Sequence, residues 1–416
     1  MNDCPRCSRR DFVKLTLGAS ALGAFGLPAA AQGRPAKAKS VILLWMQGAQ
    51  SQIDTWDLKP GTETGGPFKE IETAARDVRI CEHLPRTARQ MDKVALVRTL
   101  HSKDPNHDTA TYMLHTAYRQ NTDLQHPHVG SVVLEELGPG KTDLPGCIVI
   151  GQDAPAGAAY LPAERGPAVF DKLDNPTEDV LGETEYFPKN ALSRRWELLR
   201  DFEDGWNKRH EDPRVEARRR MYERTYRTLR SADLKAFDLK LEPMSVRKSY
   251  GETPFGRAVL MARRLVQAGV RFVEVAVGSW DTHARNFDGH KRLMTDIDTP
   301  YAALLEDLGR SGLLQETLVL LLGEFGRTPR INAAQGRDHW TRNWCACLAG
   351  GGVQGGRVIG RTDRLGMGVE DRPVSVGDFF ASVYHALGVD LDKEYLTTGG
   401  RPMKLLPEGL PVGELF

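Results

Sequence analysis

Short, predominantly apolar segments constrain the fold of this chain more than any other feature. They are Ser40–Met46, 94–97, Cys147–Ile150, 270–277 and Thr317–Leu322. Their length and their content of β-branched residues favour strands that are buried on both faces. Amphipathic helical patterns lie between them, for example over 256–268 and 293–311.

The alternation of apolar strands with helices predicts the fold class. We expect an α/β fold with a mostly parallel sheet sandwiched between helices. Functional sites of open α/β folds lie in the loops beyond the carboxyl ends of the strands. We therefore expect the functional residues of this chain in these loops.

Charge and composition exclude two classes of protein. The 416 residues include 56 Lys+Arg and 55 Asp+Glu, a formal net charge of +1, so no basic excess favours binding to nucleic acid. The mature chain contains no purely apolar run of about 18 residues, so we expect no transmembrane helix in it. The composition is that of an ordinary globular protein.

The N-terminus has the pattern of a twin-arginine signal peptide over residues 1–31. SRRDFVK (8–14) is followed by an apolar stretch over 15–27 and by small residues up to Ala31. This pattern predicts export through the twin-arginine machinery, with a periplasmic or secreted location and cleavage before Gln32. An uncleaved N-terminal anchor is the alternative.

The remaining chain, 40–416, is interpreted as one large domain. Residues from about 190 to 246 are dense in charged residues at helical spacing, which indicates a helical insertion. The glycine cluster over 350–356 precedes another apolar segment and not a helix, so it predicts a tight loop and no dinucleotide site. We assign no disulfide to the four cysteines of the mature chain.

Acidic residues and histidines collect beyond the ends of the predicted strands. The residues of interest are Asp54, His107, Thr109, Asp281, His283, Glu324, Arg327, Asp338 and His339. Carboxylates with imidazoles are the ligand chemistry of zinc, manganese and other divalent ions. Each also has a structural interpretation: Asp281 as a helix N-cap, Glu324 as an ion-pair partner of Arg327, and Asp54 as a turn residue.

Several motifs together resemble one bacterial family. They are GAQSQIDTWDLKP (48–60), NHDTATYMLHTA (106–117), GSWDTH (278–283), GEFGRTPRIN (323–332), GRDHW (336–340) and AGGGVQGG (349–356). The family is the exported domain of unknown function number 1501, placed in the alkaline phosphatase and sulfatase superfamily. The resemblance implies a parallel sheet between helices, one or two divalent ions, and a Ser, Thr or modified Cys nucleophile.

The resemblance also implies roles for individual residues. Asp281, His283, Glu324 and His339 would bind metal, with Asp338 and Asp54 as further ligands or beside them. Arg327 would hold an anionic oxygen of the substrate. His107 falls at the nucleophile position, and Thr109 is the candidate hydroxyl nucleophile. No Cys-x-Pro-x-Arg motif of formylglycine sulfatases is present.

These expectations lead to two hypotheses. The first is an exported, metal-dependent hydrolase of phosphate or sulfate esters on a small molecule or a polymer. The alternative is a catalytically silent alkaline phosphatase-like envelope protein that binds a ligand or partner. Two departures from the superfamily pattern favour the alternative: Gln47-Gly48 replaces an Asp after the first strand, and Glu324-Phe325 replaces an Asp-His pair.

Overall fold

The structure is a computed structural model that describes residues 38–170, 172, 189–207 and 213–416. Its strands, in chain order, are β1 (Ser40–Met46), β2 (Glu70–Glu72), β3 (Arg79–Cys81), β4 (Val94–His101), β5 (Cys147–Ile150), β6 (Ala168–Phe170), β7 (Phe272–Val277), β8 (Thr317–Leu322), β9 (Gly326–Arg327), β10 (His339–Trp340), β11 (Trp344–Ala349), β12 (Arg357–Ile359), β13 (Arg361–Thr362), β14 (Val369–Asp371), β15 (Val374–Ser375), β16 (Glu394–Leu396) and β17 (Pro402–Lys404).

Helices occupy much of the chain between these strands. They are α1 (Gln52–Thr55), α2 (Pro85–Ala88), α3 (His107–Thr116), α4 (Val129–Leu137), α5 (Lys189–Asn207), α6 (Pro213–Arg230), α7 (Met244–Ser249), α8 (Pro254–Gln267), α9 (Asn286–Ser311) and α10 (Val376–Leu387). Short 3₁₀ turns connect several of them.

The main element is a nine-stranded sheet with the order β12-β4-β11-β8-β1-β7-β5-β6, in which β15 also pairs with β4. Strand β1 is central and runs parallel to both neighbours, β7 and β8. Only β11 runs antiparallel to its partners among the strands of this sheet in the described part of the chain. The predicted fold class, a mostly parallel sheet between helices, is confirmed.

The core explains why the central strands are continuously apolar. Alternate residues of β1 point into two different apolar clusters: Ile42 and Leu44 join one that includes α8 and α9, while Val41 and Leu43 join one that includes α3, α4 and α10. Because both faces of the sheet are covered by helices, β1 has no polar face.

Other expectations have mixed outcomes. Helices α5 and α6 fall within the segment expected as a helical insertion, and α6 contacts the main domain through an ion pair of 3.1 Å between Arg220 and Glu164. The glycine cluster forms a turn that leads into β12, as predicted. The predicted signal peptide, 1–31, lies outside the described residues. Within the described ranges, no helix has the length and apolar character to cross a membrane.

Candidate metal centre

The carboxyl ends of the central parallel strands meet at one edge of the sheet and carry the candidate site. The loop after β7 carries Asp281 and His283, and the loop after β8 carries Glu324. His107 is the first residue of α3, where Asn106 caps the helix by accepting hydrogen bonds from the backbone of residues 108 and 109. His339 arrives in β10, which pairs it with Arg327 of β9.

Three imidazoles converge on one carboxylate oxygen. Oδ1 of Asp281 lies 3.5 Å from Nε2 of His107, 3.0 Å from Nε2 of His283 and 3.6 Å from Nε2 of His339. Nε2 of His283 lies 3.0 Å from Nε2 of His339. Ligands held about 2.0–2.2 Å from a tetrahedral zinc ion are themselves roughly 3.4 Å apart, so these separations suit a shared ion.

The other nitrogen of each imidazole faces a hydrogen-bond acceptor. The Nδ1 contacts are His107 to Glu324 Oε1 at 2.6 Å, His283 to Asp338 Oδ1 at 3.0 Å, and His339 to the Pro105 carbonyl at 2.6 Å. A carbonyl or an ionised carboxylate only accepts, so each Nδ1 carries the proton. In the neutral rings each Nε2 then carries a lone pair and lies near Oδ1 of Asp281, and a histidine held through its other ring nitrogen in this way is the usual arrangement of metal-binding histidines.

Charge near the site keeps the carboxylate ionised. Burial alone would raise the pKa of Asp281, but Arg327, whose Nη2 lies 2.6 Å from Oδ1, holds that pKa below its ordinary value. The hydrogen bond to Glu324 raises the pKa of His107, while burial lowers the pKa of His339. His107 Nε2 is buried and has no hydrogen-bond partner among the described residues.

Two glycines allow the loops to approach closely enough. Gly48 has a φ of 96°, and a Cβ there would lie 2.7 Å from the backbone nitrogen of Asp281. A Cβ on Gly336 would lie 1.9 Å from the carbonyl oxygen of His283. Any side chain at either position would therefore push apart the loops that supply the ligands.

An open cleft adjoins this group. It has a volume of about 770 Å³, and its lining includes His107, Asp281 and Glu324 together with Thr111 and Gln152. Of the converging residues, His107 and Asp281 therefore face a cleft that is open to solvent.

A second group of histidines, which the sequence analysis missed, is completely buried under this cleft. Oε1 of Glu274, in β7, lies 3.1 Å from Nε2 of His115, and Oε2 lies 3.4 Å from Nε2 of His128. All three side chains are 0% exposed. Glu274 sits within an otherwise apolar strand, and this is the one signal in the sequence that could have pointed to it.

The match to a known protein family covers almost the whole chain. Residues 38–416 match the family model described as "Protein of unknown function (DUF1501)". The chain belongs to this family. The resemblance inferred from the motifs is thereby confirmed. No curated protein matches the chain in sequence.

Solved structures similar to this DUF1501 chain come from the alkaline phosphatase and sulfatase superfamily. The lipoteichoic acid synthase LtaP from Listeria monocytogenes is 9% identical, with 85% of this chain and 73% of that chain covered and a TM-score of 0.42. An alkaline phosphatase superfamily protein from Vibrio parahaemolyticus is 10% identical, with 86% and 69% covered and a TM-score of 0.40. The phosphonate monoester hydrolase of Agrobacterium radiobacter is 13% identical, with 91% and 77% covered and a TM-score of 0.37. Similarity at this level carries no argument about activity.

Some of the residues expected as metal ligands lie together in the structure, and others have different partners. It brings Asp281, His283 and His339 together, and it adds His107, which had been assigned to the nucleophile position. Glu324 and Asp338 instead accept hydrogen bonds from the Nδ1 atoms of His107 and His283.

Asp54 is not among the converging donors. Its two oxygens accept hydrogen bonds of 2.7 and 3.0 Å from Arg337, and Oδ2 also accepts from Ser51 and Asn286. Burial would raise the pKa of Asp54, but Arg337 holds it below its ordinary value. Asp54 therefore fixes the loop that precedes Asp338, a role that its position in the sequence did not reveal.

Arg327, expected to hold a substrate oxygen, is completely buried and already bonded. Its guanidinium donates to the backbone carbonyls of Gly48 and Ala49, and it pairs with Asp281. The structure corrects its role: it holds the loop after β1 and the carboxylate of Asp281 in place.

Thr109, the expected nucleophile, faces away from the converging donors. Its hydroxyl lies 3.5 Å from Oδ1 of Asn106, and it lines a neighbouring cavity and not the cleft beside Asp281. The reason is its place in the first turn of α3, two residues after His107, on another side of the helix.

Proposed function

We propose that this protein is an exported, metal-dependent hydrolase of phosphate or sulfate esters, with its ion bound by His107, Asp281, His283 and His339. One observation carries the proposal: the Nε2 atoms of three imidazoles lie 3.0–3.6 Å from one carboxylate oxygen, Oδ1 of Asp281. The possible ligand atoms of His107, Asp281 and His339 all lie within 4.8 Å of one another, and Nε2 of His283 lies 3.0 Å from Nε2 of His339. Without a cation, the facing Nε2 atoms of His283 and His339 would repel each other.

The donor set fits a divalent ion of the zinc type. Imidazole nitrogens and one carboxylate are ligands that zinc accepts readily, and manganese is the second candidate. Glu324 can add to this set, because its Oε2 is buried and has no hydrogen-bond partner among the described residues. When bound, such an ion polarises the ester oxygen and stabilises the charge that develops during hydrolysis.

The protein's own residues orient this site. Glu324, Asp338 and the Pro105 carbonyl hold the three imidazoles with Nε2 towards the ion. Arg327 keeps Asp281 ionised. Because Thr109 lies outside the cleft, we propose water as the attacking group, so that ester and water give an alcohol and the free phosphate or sulfate.

The first test is metal content. Protein purified without a histidine tag or added metal is examined by elemental analysis, and we expect about one zinc or manganese ion per chain. Asp281→Ala and His339→Ala should lose the ion. His385→Ala, whose ring packs on Phe416, is the matched control and should retain it.

The second test is hydrolysis by the metal-loaded protein. Aryl phosphate, phosphodiester and sulfate substrates are assayed in parallel, and we expect turnover of at least one class that chelation abolishes and zinc or manganese restores. A fully loaded protein that turns over none of a broad panel of such esters would overturn the proposed activity.

One observation favours the second hypothesis, a silent binding protein. The Arg327 guanidinium lies 2.6 Å from Oδ1 of Asp281, so this carboxylate already has a positive partner without a metal. A well-folded protein that neither contains nor takes up zinc or manganese would support that alternative.

Export is proposed from the sequence alone. The pattern over residues 1–31 supports transport through the twin-arginine machinery to the periplasm or the exterior. Fractionation of cells that express the whole chain tests this location. Replacing Arg9 and Arg10 by Lys should leave the protein in the cytoplasm, and unchanged export would contradict the proposal.

A further inference from the structure

The cleft beside the metal centre continues into a second cavity. The two share Tyr112, Gln120 and Pro155 in their linings, and their volumes are about 770 and 710 Å³. Together they form a groove that runs from Asp281 past the start of α3. A groove of this size holds more than a phosphate or sulfate group, so it can receive the group that the ester joins.

The lining of this groove is polar but carries no positive charge of the kind that polyanions need. Among the described residues that line either cavity, none is Lys or Arg. The cleft contains Asp108 and Asp153 in addition to the acids of the metal centre. Nucleic acids and other polyanions are recognised by Arg and Lys and would be repelled by these carboxylates.

Amides and hydroxyls dominate the rest of the lining. Gln47, Gln120 and Asn121 are exposed there, and Thr122 and Ser279 add hydroxyls. No Leu, Ile, Val, Met, Phe or Trp is found among the described residues of the two linings, so the groove lacks a pocket for the large apolar anchors typical of peptide binding. Amide groups both donate and accept, as required for a ligand rich in neutral hydroxyls.

The amide of Gln152, which also lines the cleft, is held in a fixed orientation by a buried carboxylate. Nε2 of Gln152 lies 2.5 Å from Oε1 of the buried Glu274. His115 and His128 hold the pKa of Glu274 well below its ordinary value against the effect of burial, so the carboxylate is ionised and can only accept. Gln152 must therefore present its amide nitrogen to Glu274, which leaves its Oε1 as the acceptor for a ligand in the cleft.

We propose that this groove binds a neutral, hydroxyl-rich chain, a glycan, as the part of the substrate that carries the ester. The inference rests on the proposed hydrolase function and names its substrate class. Gln152 and Gln120 hydrogen-bond sugar hydroxyls, and Glu274 is a positioning residue that acts through Gln152.

The experiment compares one ester on different carriers. The metal-loaded protein is given a single phosphate, or a single sulfate, on an oligosaccharide of about six sugars, on a hexapeptide serine or tyrosine, and on p-nitrophenol. Glucan, galactan and mannan oligosaccharides are used in parallel. We expect kcat/KM to be at least about tenfold higher for one of the oligosaccharide esters than for the other carriers, mainly through a lower KM.

Variants connect this preference to the groove. Gln152→Leu and Gln120→Leu should reduce the ratio of oligosaccharide-ester to p-nitrophenyl-ester kcat/KM by about tenfold. Gln315→Leu, an exposed glutamine in the turn before β8, is the matched control and should leave the ratio unchanged. A preference for the peptide ester, or equal rates on all carriers, would overturn the inference while leaving the hydrolase function intact.

Direct binding separates the two proposals when no ester is hydrolysed. Unesterified oligosaccharides of the same panel are titrated calorimetrically against the wild-type protein and Gln120→Leu. Binding that the variant loses would support the glycan groove even though the proposed activity has failed. No binding of any oligosaccharide, together with no hydrolysis, would overturn both.

Discussion

Among the described residues, two groups of histidines and carboxylates bring possible ligand atoms together, and they differ in how the ring nitrogens are hydrogen-bonded. In the open centre, formed by His107, Asp281, His283 and His339, each histidine donates Nδ1–H to an acceptor and turns a lone pair inward. In the buried group of His115, His128 and Glu274, Nδ1 of His128 itself accepts a hydrogen bond of 3.0 Å from the backbone of Gly130, at the start of α4.

This single hydrogen bond changes the chemistry of the buried group. Because Nδ1 of His128 is an acceptor, its proton is on Nε2, which faces Glu274 as a donor and not as a ligand. His115 donates Nδ1–H to the Thr111 carbonyl at 2.7 Å and pairs with Glu274 through Nε2. Proximity of ligand-type residues is therefore insufficient: the hydrogen bond at Nδ1 of His128 makes its Nε2 a donor to Glu274, which disfavours a metal there.

The largest effect is expected from breaking the buried pair. Glu274→Leu leaves His115 without its counter-charge in a fully buried pocket, and we expect the free energy of unfolding to fall by about 3–5 kcal/mol. Chemical denaturation measures this loss.

The matched control is Glu316→Leu, which removes an exposed acid paired with Lys39 and should cost less than about 1 kcal/mol. If Glu274→Leu instead abolished a bound metal that Asp281→Ala retained, the roles of the two groups would be reversed.

The next effect is stabilisation by metal at the open centre. Free zinc at a hundred times its Kd should raise the free energy of unfolding by about 2.7 kcal/mol, since the ion binds the folded state. Denaturation curves with zinc and with chelator measure the difference. Asp281→Ala should show none, and an equal shift in that variant would place the ion elsewhere.

A smaller effect is expected from the groups that orient the ligands. Asp338→Ala removes the acceptor of His283 Nδ1 and should weaken zinc binding by about 10–100-fold, because the ring loses its fixed orientation and tautomer. Competition with a chromophoric chelator measures the Kd. Asp338→Asn keeps an acceptor and should lose less affinity than Asp338→Ala, so equal losses would contradict this account.

The smallest effect concerns pH. Burial would lower the pKa of His115, but Glu274 raises it above its ordinary value. Its contribution to stability is therefore complete below the unfolded-state pKa of about 6.5 and is lost as the pH rises through the folded-state value. Glu274 stays ionised throughout this range.

Denaturation of the wild type and of His115→Gln from pH 5.5 to 9 isolates this contribution. The wild type should lose more stability than the variant as the pH rises. Parallel curves would show that His115 is not charged in the folded protein.

The central strands of the sheet could be predicted from the sequence. Ser40–Met46, Cys147–Ile150 and Thr317–Leu322 were predicted with the bounds that the structure has, because a strand buried on both faces is apolar along its whole length. The clustering of acids and histidines at the strand ends was also readable, because parallel strands share one carboxyl edge.

Roles within the site depend on contacts that sequence spacing does not show. Arg337 pairs with Asp54, which is 283 residues away, and Arg327 bonds to the loop after β1, so two arginines that could have bound substrate are structural. His339 is oriented by the backbone carbonyl of Pro105, a contact that no residue type in the sequence indicates. The turn before α3 decides that His107 and not Thr109 faces Asp281.

Gly336 is a position at which a single substitution would disrupt the geometry of the open centre. The backbone there touches the His283 carbonyl, so even one added methyl group would act as a wedge between the strand-end loop that carries Asp281 and the hairpin that carries His339. A chain altered at this single position would keep Asp281, His283 and His339 while losing the geometry that brings them together.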